Sequence, residues 1–370
     1  MMNRMVVANL VHRPVRSLIS VVAIALEVTL ILLIVGLSLG ILNDTRQRQA
    51  GMGADVVVLP PGSTMIQGLS GAPLPIKIRD IVAKLPHVTD VSPIVMQFSG
   101  AGTLEIIYGI DVDSFERLGG PFHYLEGGPF EGPNDVLVDD IFAKSQHVKP
   151  GQAIELLSHP FRVAGVVEHG RGARKFLPMK TLQELMGAST PSKVSAFYLK
   201  LDDPANANLV VEEIKQVPGM QSYNVRSMRE FLSLMTPTNY PYLGSFINVV
   251  IGVSLTIGLI VIFQAMYTAV MERTREIGIL KSMGASKFYI VNVILRETAL
   301  LAICGIVLGI VFSLLAQKGI VYKRPLVRIE VTAGWILRAT AIAIVGSLAG
   351  AIYPALKAAH KDPIDALAYE

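Results

Sequence analysis

The chain is short of cysteine, of tryptophan and of charge. Its 370 residues include one Cys, one Trp and only 17% Asp, Glu, Lys and Arg, against roughly 25% in ordinary globular domains. The lone Cys304 excludes an internal disulfide framework and any Cys-rich zinc or iron–sulfur centre. Seven His residues offer no pair at metal-ligand spacing and no His-Glu-x-x-His, and there is no Gly-x-x-x-x-Gly-Lys-Ser/Thr loop to cradle nucleotide phosphates. No metal set and no catalytic residue is therefore expected. A mean hydropathy of +0.50 also excludes a disordered chain and argues against a soluble two-domain enzyme.

Long apolar runs are what the sequence has instead. Four of them, 18–42, 244–270, 290–316 and 333–353, are long enough to cross a hydrocarbon core of roughly 30 Å as helices. Segment 43–243 between the first two is polar, with 18 Lys+Arg and 21 Asp+Glu, a net −3 that leaves +7 on the rest of the chain. The basic charge thus belongs to the membrane portion and does not point to nucleic acid. The first run is too long for a signal-peptide core and reads as a retained anchor. Arg4, Arg13 and Arg16 precede it, Arg273, Arg275, Lys281 and Lys287 lie in the connection 271–289, and Lys357 and Lys361 follow the fourth run. The positive-inside tendency then places the N-terminal helix 1–17, the connection 271–289 and the tail 354–370 in the cytoplasm. Lys318, Lys323, Arg324 and Arg328 in the loop 317–332 pull the other way.

Within 43–243, runs rich in β-branched residues predict strands at 55–59, 104–110, 136–138, 153–157, 161–167 and 195–201. Amphipathic helices at 78–85 and 209–217 are each stopped by a proline, Pro86 or Pro218, and followed by a strand. This repeat predicts a two-part α/β layer with a β-rich insertion over about 100–191. Residues 60–75 read as an irregular Gly/Pro loop, and His169-Gly-Arg-Gly-Ala-Arg-Lys175 as a basic loop tip, either solvated or touching an anionic partner or lipid headgroup. The expected fold is an α-helical membrane protein with four transmembrane helices and a large extracytoplasmic α+β domain between helices 1 and 2.

After the second run comes Glu272-Arg-Thr-Arg-Glu-Ile-Gly-Ile-Leu-Lys-Ser-Met-Gly-Ala-Ser286. At helical spacing Glu272, Arg275, Glu276, Ile279, Leu280 and Met283 share one face, with Gly284 placed to end the helix. Such a face suits either an interfacial helix or docking on a partner. Glu27 lies inside the first run, where an ionised carboxylate costs about 2.5–3.5 kcal/mol on insertion scales. It is read either as lining a central cavity or as paired with a neighbouring helix through Gln264 or Asn248. Arg296, Glu297 and Arg338 are read as snorkelling at the membrane surface. Small-xxx-small pairs for close helix packing are Gly36/Gly40, Gly305/Gly309 and Gly346/Gly350. Gly36-Leu-Ser-Leu-Gly40 matches a hydrolase nucleophile pattern, but inside a membrane helix it lacks the strand-to-helix turn that chemistry needs.

The 272–285 run, with Tyr353-Pro-Ala-Leu-Lys-Ala-Ala-His-Lys-Asp-Pro-Ile-Asp-Ala-Leu367, resembles the permease subunits of the MacB/LolC/FtsX-like ABC transporters. Asn9–Ser17 is similar to that family's N-terminal helix, and Asp135-Val-Leu-Val138 and Val148-Lys-Pro-Gly-Gln152 to its periplasmic core domain. The resemblance implies a bacterial inner-membrane protein with both termini cytoplasmic. It implies a dimer with a second permease subunit, identical or related, and a cytoplasmic ABC ATPase that supplies ATP and Mg; a periplasmic adaptor is a further partner it allows. Carried over, Glu272, Arg275, Glu276, Leu280 and Met283 form the face that contacts the ATPase, with Gly278 and Gly284 allowing close approach. The function implied is export or extraction of a substrate driven from outside this chain; the alternative is an FtsX-like transmitter that controls an outer enzyme such as a cell-wall hydrolase.

Overall fold

A computed structural model of the chain describes residues 14–63, 73–99, 105–187 and 193–361. The start of the expected N-terminal helix, the core of the 60–75 loop and the tail from Asp362 lie outside them. The chain divides into two compact units, Ile41–Tyr240 with Arg324–Arg328 in one, and Met1–Gly40, Pro241–Lys323 and Ile329–Glu370 in the other.

Helix α1 (Pro14–Ala50) is uninterrupted. Its 37 residues rise about 55 Å, well beyond the bilayer core, because Asn43–Ala50 contains neither Gly nor Pro to stop it. Gly51 and Gly53, the latter at φ +77°, end the helix. Residues from Ile41 onward belong to the α/β unit, so the expected boundary at 42 falls inside α1.

The α/β unit continues with β1 (Val56–Leu59), β2 (Leu74–Pro75), α2 (Ile78–Val82), β3 (Val88–Phe98), β4 (Ile106–Ile110), α3 (Val112–Gly119), β5 (Tyr124–Gly127), β6 (Asp135–Asp139) and α4 (Asp140–Gln146). There follow β7 (Ala153–Leu156), β8 (His159–Val167), β9 (Lys175–Pro178), α5 (Met179–Leu185), β10 (Lys193–Val194), β11 (Ala196–Leu201), α6 (Ala207–Gln216), β12 (Asn224–Ser227) and α7 (Met228–Ser233). One sheet takes the order β12-β1-β11-β3-β4-β9-β6-β8-β5, with β7 hairpinned onto β8. Both expected parts lie together in one half of it, β12-β1-β11-β3, and the expected insertion supplies the other half, β9-β6-β8-β5, joined where β4 runs parallel to β9 from Ile107↔Lys175 to Ile110↔Pro178. β4 therefore belongs with β3, not with the insertion to which its position in sequence assigned it. Both proline-stopped helices recur as α2 before β3 and α6 before β12. Helix starts are set locally: Asp111, Asp139 and Ser227 each accept a backbone N–H three residues on. Val56, Val58, Phe161, Phe197 and Leu199 lie in the core.

The basic loop departs from expectation. Arg174 and Lys175 are 7% and 4% exposed, and Lys175 opens β9. Arg171 lies over the Phe115 and Phe122 rings at 5.2 and 5.1 Å. Arg171, Arg174 and Lys175 have each found an acid or an aromatic face inside the domain, so 172–175 is packed in while His169 stays exposed.

The second unit contains α8 (Pro241–Glu272), α9 (Thr274–Ser282), α10 (Lys287–Lys323) and α11 (Ala333–His360). With α1, helices α8, α10 and α11 are the four among the described residues long and apolar enough to cross a membrane. α11 runs through Pro354 to His360, past the expected end at Tyr353. Pro has no N–H to donate to the carbonyl four residues back, that of Gly350, so this turn of α11 lacks one helix bond. A Cβ on Gly305 or Gly309 would meet Ile24, Val28 and α1 backbone at 2.6–2.9 Å, and one on Gly346 or Gly350 would meet Leu255 or the Leu259 carbonyl at 2.6 and 2.8 Å. Gly36 instead faces Ile329 and Glu330, accepting from the Glu330 N–H at 2.8 Å, a contact with irregular chain rather than a helix. Gly40 is buried.

Candidate functional site

The short helix α9 sits between two spans. α8 ends at Glu272, and Arg273 leaves helical geometry at φ −109°, ψ 19° before α9 begins. Thr274 is buried and spends its hydroxyl on the Val270 and Met271 carbonyls at 3.2 and 2.9 Å, which closes the corner without a partner from outside. At the other end the Gly284 N–H donates to Lys281 O and the Ala285 N–H to Leu280 O, both at 3.0 Å. With Gly284 at φ +93°, this is a Schellman termination.

The break at Arg273 divides the face expected from sequence. Glu272 is exposed on α8, while Arg275, Glu276, Ile279 and Met283 are exposed on or just past α9. Leu280 is half-buried and, with Glu276, Ile277, Tyr289 and Val293, lines a cleft of about 60 Å³. Gly278 lies on the buried side of α9, so any close approach it permits is to the chain's own helices. Gly284 serves to stop the helix.

Two basic side chains that sequence reasoning left as interfacial charges hold α9 in place. Arg273 Nη1 lies 3.3 Å from Glu297 Oε2 on α10. Glu297 is only 4% exposed, so it does not snorkel as expected; Arg296 is exposed and bonds Asn292. Arg338 stacks over Trp335 at 4.9 Å. Lys281 Nζ donates to Ala359 O at 3.0 Å and to Lys361 O, at the end of α11. A carboxylate inside a span is commonly paired, and the opposite charge of Arg273 was the sequence signal for the first pair.

Glu27 is 5% exposed. Its carboxyl closes on Gly258 of α8, where a Cβ would fall 2.0 Å from Oε2. Oε1 has no hydrogen-bond partner among the described residues. Gln264 and Asn248, the expected partners, are exposed, and Gln264 lines a groove with Pro14, Val15 and Ile19. The exposed stripe of α1 is Leu18, Val22, Leu26, Leu30, Leu37 and Ile41, so Glu27 is enclosed within this chain and does not present itself outward. Gly258 makes the seat because it has no side chain.

A third cluster lies in the α/β unit. Arg174 donates to Asp139 at 2.9 Å and to both oxygens of Asp44, on α1, at 3.0 Å. Arg48 bonds Asp44 at 3.0 Å, and Arg328, from the segment between α10 and α11, approaches it at 3.6 Å. Burial pushes the Asp139 carboxyl above the usual range, opposed by the Arg174 guanidinium. Beside the cluster, Gln49 donates to the Tyr108 hydroxyl at 2.7 Å and accepts from that of Tyr198 at 2.9 Å, all three buried. Arg324–Arg328 belongs to the α/β unit, and of the four basic residues that opposed the positive-inside count Arg328 meets an acid there, Asp44.

The MacB-like periplasmic core domain model matches residues 17–217 and the FtsX-like permease C-terminal model residues 248–363. A macrolide export ATP-binding/permease protein MacB of Neisseria gonorrhoeae is 26% identical over 99% of this chain, and one of a Shewanella species 25% over 97%. The chain spans 60% and 59% of the length of those relatives. The solved periplasmic region of MacB from Actinobacillus actinomycetemcomitans is similar at 17% identity and a TM-score of 0.39, covering 50% of this chain and 94% of that one. The extracellular domain of the noncanonic ABC-type transporter YknZ is similar at 12% identity and 0.35, covering 47% and 99%. With the two family models together matching 17–217 and 248–363, the chain belongs to the ABC transporter permease family of MacB-like and FtsX-like type.

Proposed function

We propose that this chain is the membrane subunit of an ABC transporter and moves under the power of a separate ATPase. The α9 segment carries the reading. It is a short helix between two spans, fixed on its inner side and exposing Arg275, Glu276, Ile279 and Met283 on the other. The ATPase binds ATP and Mg and docks on this face; closure of its nucleotide sites displaces α9. The displacement reaches the α/β domain through the long helices, of which α1 ends inside that domain at the Asp44 cluster. Two permease subunits pair in the inner membrane, with termini and α9 cytoplasmic and the α/β domain outside, and the cycle drives export or extraction of a substrate on the outer side. Named relatives that export macrolides and carry an ATP-binding part support the transporter class.

Ile279→Glu with Met283→Glu changes only exposed positions, Met283 being 71% exposed. It is expected to abolish co-purification of the ABC ATPase while leaving the chain in the membrane. Retention of the ATPase at the parent level would overturn the docking assignment.

A further inference from the structure

Helix α9 has nine residues, and isolated helices shorter than about 12–15 residues are marginal in water. Something outside it must fix its place and direction. The break at Arg273 removes rigid continuity with α8, so α8 alone does not do so. At the start of α9, Arg273 reaches the buried Glu297 of α10. At its end, Lys281 reaches two carbonyls at the close of α11. The last carbonyls of a helix have no intrahelical donor and carry the negative end of the helix dipole, so a lysine there caps by hydrogen bond and by charge together. The two bases lie eight positions apart on one short element and are committed to two different spans.

We propose that Arg273 and Lys281 are positioning residues that clamp α9 to α10 and α11, so that a push on α9 is delivered to the third and fourth spans as one body while the Arg273 corner hinges against α8. The proposal rests on the coupling role of α9 proposed above. It deepens that role by naming which spans receive the movement and which two side chains carry it.

Hydrogen exchange on the full chain in lipid nanodiscs, with and without the co-expressed ABC ATPase subunit, tests it. The variants are Lys281→Met, Lys281→Arg, and Arg273→Met with Glu297→Met, the last removing both charges so that neither is left buried alone. Amides from Thr274 to Ala285 are expected to exchange about ten- to a hundredfold faster in Lys281→Met and in the double variant, the range set by loss of a charged hydrogen bond. Lys281→Arg keeps the donor and is expected to restore slow exchange, while sheet amides of the α/β domain stay at parent values in every variant. With the ATPase bound, ATP is expected to change exchange in the α/β domain of the parent and of Lys281→Arg but not of the clamp variants. Unchanged α9 exchange in Lys281→Met would overturn the clamp, and an undiminished ATP response in the clamp variants would overturn its role in transmission. Should the double variant fail to fold, the Lys281 pair decides alone. An ATPase that does not bind even the parent would overturn the coupling role and transmission with it, and the ATPase-free exchange would still decide the clamp.

Discussion

At the scale of single residues, Glu27 and Gly258 are one feature. A Gly-to-Ala change inside an exposed helix stabilises it by about 1 kcal/mol through propensity. At Gly258 the sign is expected to reverse, because the added methyl would stand 2.0 Å from Glu27 Oε2. Gly258→Ala should lower the thermal stability of the purified protein, and Glu27→Ala in that background should recover it, with a coupling of about 0.5–3 kcal/mol. Additive effects in the double-mutant cycle would show that the two do not touch. Neither the pairing nor its partner was legible in the sequence: a search for polar partners passes over a residue whose contribution is to have no side chain. Glu297 was legible in principle, since Arg273 stood 24 positions earlier with opposite charge.

At the scale of elements, apolar run length and β-branched content located the four long helices and most strands, because both signals are written locally. Breaks and seams were not. Glu272-Arg-Thr-Arg-Glu276 contains no Gly or Pro, so the helical period runs on through the corner at Arg273. The start of β9 was hidden for the opposite reason: Arg174 and Lys175 look solvated until Asp44 and Asp139, 130 and 35 positions away, are brought beside Arg174. Arg174→Met would leave those two carboxylates without their shared cation, and breaking such a buried pair costs about 3–5 kcal/mol. Denaturant unfolding of the full chain should show a loss of that size. Arg174→Lys should fall between, since an ammonium cannot serve two carboxylates with a planar fork. A Met variant as stable as the parent would mean the cluster contributes nothing.

At the scale of the whole molecule, the proposed orientation rests on basic residues flanking the spans, and chemical access tests it. In a Cys304→Ser background, Ser158→Cys lies on the exposed turn between β7 and β8, and Ser282→Cys lies at the exposed end of α9. A membrane-impermeant maleimide is expected to label the first in spheroplasts and the second only after permeabilisation. The reverse pattern would invert the topology and place α9 outside the cytoplasm.

The α/β unit has one further property with a bearing on its biogenesis. It includes Arg324–Arg328, a segment synthesised only after α8, α9 and α10, and Leu326 packs against its core. The nascent domain therefore cannot be finished when its own contiguous sequence has left the ribosome. Asp44 waits for Arg328, and the core for Leu326, until the third span has been inserted. Maturation of the domain is in this way a report that membrane insertion has reached the start of the fourth span, and a fragment cut at Tyr240 would never receive it.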